Sequence, residues 1–77
     1  MPRNVEYYVH LPWRVVIEPE MQDDGVWLYV ASLPEFDGVL GSGETREAAL
    51  ADLQAALYSA IDALLAEGYP IPEPVTA

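Results

Sequence analysis

Residues 45–67 read TREAALADLQAALYSAIDALLAE and are followed by Gly68, and no other stretch restricts the fold of this chain as strongly. Thr45 is a good N-cap, Glu47 lies near the positive end of the helix dipole, and Gly68 before Tyr69-Pro70 is the usual terminating glycine. At 100° per residue, Leu50, Leu53, Leu57, Ile61, Leu64 and Leu65 fall into one stripe, flanked by a second stripe of Ala49, Ala56, Ala60 and Ala63. The leucine stripe fits a sheet. The alanine stripe either lets another helix or sheet approach closely or reflects helix propensity alone.

The sheet has to come from the preceding residues. From Val5 to Ile17 the odd positions are Val5, Tyr7, Val9, Leu11, Trp13, Val15 and Ile17, and the even ones include Glu6, His10, Pro12, Arg14 and, just beyond, Glu18. This period of two predicts a first strand over 5–18. The thirteen residues from Val5 to Ile17 in one strand would reach about 43 Å, so Pro12 is expected to mark a break or an exposed edge. His10 falls on the polar, solvent-facing side. Glu18 to Gly25 is rich in turn residues and ends in Asp-Gly, a strong hairpin signal. The second strand is expected over 26–33, antiparallel to the first, with Trp27, Tyr29, Ala31 and Leu33 on one face and Val26, Leu28 and Val30 on the other. A strand apolar on both faces is central and covered on both sides. Val39 and Leu40 suit a short third strand. The expected fold is α+β, one domain over 1–77, in which a three-stranded antiparallel sheet packs against one long helix in the order β-β-β-α. The prolines at 70, 72 and 74 exclude a helix and predict an extended tail over 69–77.

Between the sheet and the helix lies Gly38-Val39-Leu40-Gly41-Ser42-Gly43-Glu44-Thr45. A phosphate cradle of this kind needs backbone N–H groups at a helix start and a lysine to neutralise the anion. The chain has no lysine, the residue after Gly43 is Glu44, and no second parallel strand follows the helix to complete a dinucleotide site. The glycines are therefore expected to form a turn, with Gly43 at positive φ. No cofactor and no metal are expected.

Thirteen acidic residues face three arginines, for a formal charge of −10. Such a chain repels nucleic acid and is suited to a basic protein partner, although the charge also serves solubility alone. There are no cysteines and one histidine, so disulfides and a zinc site are excluded as supplements to a small core, which leaves oligomerisation. One helix covers one face of a sheet whose central strand is apolar on both. A homodimer or higher homo-oligomer is expected, with Trp27, Tyr29, Ala56 and Ala60 as candidate interface residues. The longest apolar stretches are expected to fall far short of a membrane span, and the start lacks a signal-like apolar region, which points to the cytoplasm.

The ordered set Leu33-Pro34, Phe36, Gly38, Gly43, Thr45, Glu47, Ala49-Leu50, Gly68 and Pro70-Ile71-Pro72-Glu73-Pro74 resembles the HicB-like antitoxins of bacterial toxin–antitoxin modules, over nearly the whole chain. The resemblance implies a partial ribonuclease-H-like fold and a role as inhibitor of HicA, a small basic toxin that cleaves mRNA. Two features depart from the family pattern: Ala48 replaces a second glutamate at the helix start, and a short form without the C-terminal DNA-binding domain is expected. The second departure puts operator binding in doubt. Glu35, Phe36, Asp37 and Glu44 in the turn, with Tyr69, Pro70 and Pro72 in the tail, are the candidate partner-binding residues, being polar or extended and without an evident duty in the core. A metal-dependent nuclease needs several carboxylates converging from strand centres, whereas Glu18, Asp23 and Asp24 are expected at strand ends and turns. No catalytic residues are assigned. The remaining alternative is an oligomeric interaction module without a toxin.

Overall fold

Thr45 caps the long helix as its sequence position requires: its side-chain oxygen accepts the Ala48 N–H at 3.0 Å. In the computed structural model, which describes residues 4–74, this helix, α2, runs Arg46–Glu67. It ends at Gly68, whose φ is 74°. The Gly68 N–H donates to Leu65 C=O and the Tyr69 N–H reaches back to Leu64 C=O, the paired closure of a Schellman motif. α2 is long and apolar enough by length and composition to cross a membrane, contrary to the sequence expectation, yet its apolar stripe is spent on the protein's own core.

Three strands precede it: β1 (Val16–Met21), β2 (Trp27–Ser32) and β3 (Leu40–Gly43). They form an antiparallel sheet in the order β1-β2-β3, and the fold is α+β as expected. Gly25, at φ 84°, closes the β1–β2 hairpin: its N–H donates to Gln22 C=O at 2.9 Å, and the Gln22 N–H donates to Val26 C=O at 2.9 Å. That last bond fixes the alternation of the ladder. Gln22, Glu20, Glu18 and Val16 bond inward to β2, while Ile17, Pro19 and Met21 turn their backbone outward. Pro19, which has no N–H, thus sits where none is needed. On the opposite edge Ser42 turns outward, and its N–H is taken by the Asp52 carboxylate of α2 at 2.9 Å.

The core is formed by Ala31, Leu33, Phe36 and Val39 from the sheet and the segment after β2, against Ala49, Leu53, Leu57 and Ile61 of α2. Burying a leucine of this kind contributes about 1.5–3 kcal/mol.

The N-terminal segment departs from expectation. Residues 5–15 are not strand: Val5–Val9 form a short helix, α1, and Leu11 to Val15 have no regular structure. Asn4 is the cause at one end, its Oδ1 accepting the Tyr7 N–H at 3.0 Å, and Pro12 closes the other. The residues that pack on the core are Val5, Tyr8 and Val9, spaced i, i+3, i+4, whereas Tyr7 is exposed. Period two and period 3.6 share Val5 and Val9, and Tyr8 decides between them. Trp13 pins the connecting loop by donating its indole N–H to Tyr8 C=O at 2.8 Å and by packing 5.7 Å from Phe36.

The glycine segment is a turn only in part. Gly38 has φ 88°, but Gly41 and Gly43 belong to β3 and neither has positive φ. They face α2 at close approach: a Cβ on Gly41 would fall 2.6 Å from Ala49 O, and one on Gly43 would fall 2.6 Å from Ala48 Cβ. The tail from Tyr69 to Pro74 has no helix or strand, and residues 75–77 of the expected extension lie outside the described residues.

Candidate protein-interaction site

The sheet has two unlike faces. The α2 side of the sheet carries Ile17, Pro19, Met21, Trp27, Tyr29, Ala31, Gly41 and Gly43; the other side carries Val16, Glu18, Glu20, Leu28, Val30, Ser32, Leu40 and Ser42. No element of the described chain covers the second face, where Leu40 is 58% exposed. Its apolar part is a patch of Val16, Leu28, Val30 and Leu40, bordered by Glu18 and Glu20 on β1.

The first face is covered by α2 except at the hairpin end. There β2 runs on past the start of the helix, and a groove of about 520 Å³ opens between Pro19, Trp27, Leu28, Tyr29 and Glu44. Trp27 is 58% exposed. The guanidinium of Arg46 lies over the Tyr29 ring, 5.3 Å from its centroid. Asp23 and Asp24 lie in the adjoining hairpin turn, and Glu47 in the first turn of α2. A smaller, mostly apolar pocket of about 220 Å³ lies between Val9, Leu11, Trp13 and Val15 on one side and Leu50, Leu53, Gln54 and Leu57 of α2 on the other.

The sequence-derived interaction residues separate on this frame. Glu44 lines the groove, while Asp37, Tyr69, Pro70 and Pro72 are exposed. Phe36 is a correction: it is 6% exposed, a member of the core, and leaves no ring for a partner. Glu35 is half-buried and accepts the Arg14 N–H at 3.1 Å, so it ties two loops of its own chain together. Ala56 and Ala60 pack against the core cluster, which assigns their small size to packing within the chain. Trp27 and Tyr29 lie on the helix side of the sheet, so the uncovered face is that of Leu28 and Val30. Pro19 lines the groove and Arg46 stacks on its Tyr29, and sequence reasoning missed both. The signal for Pro19 was its place opposite Tyr29 once the hairpin register is drawn.

Glu18 stands in the middle of β1 rather than at an end. Among the described residues no three His, Cys, Asp or Glu side chains converge as metal ligands would. No family model, curated protein or solved structure matches this chain.

Proposed function

We propose that this chain is a non-catalytic inhibitor that binds a small basic protein, with a HicA-type mRNA-cleaving toxin as the target implied by the sequence resemblance. It acts in the cytoplasm as a homodimer and does not itself bind nucleic acid. The observation that carries this proposal is the combination of a formal charge of −10 with exposed apolar and aromatic surface on both sides of β2. Charge brings a basic partner in and apolar contact retains it. The uncovered patch of Val16, Leu28, Val30 and Leu40 favours self-association, and it equally serves the second reading, an oligomeric module without a toxin.

Co-expression with a small basic HicA-type toxin tests the proposal. A stoichiometric complex in which the toxin's RNA cleavage is suppressed is the expected result. If the two proteins purify separately while this chain remains an oligomer, the stand-alone module is the better account.

A further inference from the structure

We infer that the groove between Pro19, Trp27, Tyr29 and Glu44 is the seat of an arginine side chain from a basic protein partner. The guanidinium lies flat on the Trp27 indole and hydrogen-bonds the Glu44 carboxylate. This assignment rests on the proposed binding of a basic protein and adds where the partner is held and by which side chain.

Three observations support it. The floor of the groove is aromatic and open, with Trp27 58% exposed at the end of β2 that α2 leaves uncovered. The same floor already carries a guanidinium, since Arg46 of this chain lies over Tyr29 at 5.3 Å. Indole is the better cation–π surface of the two, and it is the more exposed. The surrounding charge is negative: Glu44 lines the groove, Asp23 and Asp24 stand in the hairpin turn and Glu47 in the first helical turn, against the guanidinium of Arg46 that stacks on Tyr29. A planar cation with several donors suits an indole face beside a carboxylate better than a lysine does, because the ammonium of lysine neither stacks nor forks.

The test is a titration of the ¹⁵N-labelled protein with acetyl-triarginine amide, and in parallel with acetyl-trilysine amide of equal charge. The expected result is a saturable shift centred on the Trp27 indole N–H and the backbone of Tyr29 and Glu44. Trp13, whose indole N–H is held by Tyr8 C=O, should serve as an unmoved internal reference. Arginine should bind about fivefold or more tighter than lysine. Trp27→Ala, at an exposed position that leaves the fold intact by the same spectrum, should weaken the triarginine about tenfold, and Glu44→Gln about threefold. Equal binding of the two peptides, shifts spread evenly over the acidic surface, or undiminished binding by Trp27→Ala would each overturn the assignment.

The peptide arm and the co-expression arm fail separately. A protein that binds triarginine at Trp27 but captures no basic partner retains the groove and loses the inhibitor. One that captures the partner equally well as Trp27→Ala retains the inhibitor and loses the groove.

Discussion

Gly38 and Gly41 are three residues apart and are required for opposite reasons. Gly38 sits at φ 88° with nothing within 4 Å of the point where an alanine Cβ would stand, whereas at Gly41 the added Cβ would overlap the backbone of Ala49 and Leu53. Gly38→Ala should therefore cost about 1 kcal/mol through backbone strain, and Gly38→Asn less, because asparagine tolerates the left-handed region. Gly41→Ala should cost about 3 kcal/mol through overpacking, with no relief from asparagine. Urea unfolding of the four variants Gly38→Ala, Gly38→Asn, Gly41→Ala and Gly41→Asn checks this, and a Gly41→Asn as mild as Gly38→Asn would contradict it. The spacing of the glycines identified them as structural in the sequence. It did not separate turn from close approach, because that distinction depends on where Ala49 and Leu53 of α2 come to rest. Phe36 was misplaced for a related reason: its neighbours Glu35 and Asp37 are polar, and only the fold brings Trp13 and the α2 leucines around it.

At the scale of elements, α2 and the β1–β2 hairpin were legible because their signals are local. Thr45, the leucine stripe, Gly68 and Asp24-Gly25 each act within a few residues of themselves. Thr45→Ala should cost about 1 kcal/mol for the same local reason, measurable as a lowered urea midpoint with an unchanged slope. The segment 5–15 was not legible, since two periods fit it and only Asn4 and Tyr8 favour the helix. The edge role of Pro19 became readable once the ladder was fixed, and it carries its own prediction. With Ile17 and Met21 it turns its backbone hydrogen-bonding groups outward from the sheet edge, so Pro19→Thr places an N–H on an unprotected edge. The variant should fold, and it should self-associate into β-rich aggregates faster than the parent. Thioflavin T fluorescence over time decides this, and parent-like kinetics would show that the edge is guarded by other means, such as Glu18 and Glu20.

At the scale of the whole molecule the two proposed associations differ in electrostatic sign, and salt separates them. Each copy carries a formal charge of −10, so a homodimer through Val16, Leu28, Val30 and Leu40 forms against repulsion, whereas a basic partner is drawn in by attraction. Exposed charges are screened beyond about 8 Å at physiological ionic strength. Raising salt from low to physiological strength should therefore tighten the homodimer in sedimentation equilibrium, and the same change should slow association with the basic partner, with a smaller effect on its dissociation. Val30→Glu, at the centre of the uncovered face, should give a folded monomer, since Val30 lies outside the core cluster. If the uncovered face serves the dimer and the groove at Trp27 serves the partner, that monomer should still bind triarginine with parental affinity. A Val30→Glu protein that remains dimeric would move self-association off this face. One that becomes monomeric and also loses the peptide would mean that the two surfaces on either side of β2 are a single interface.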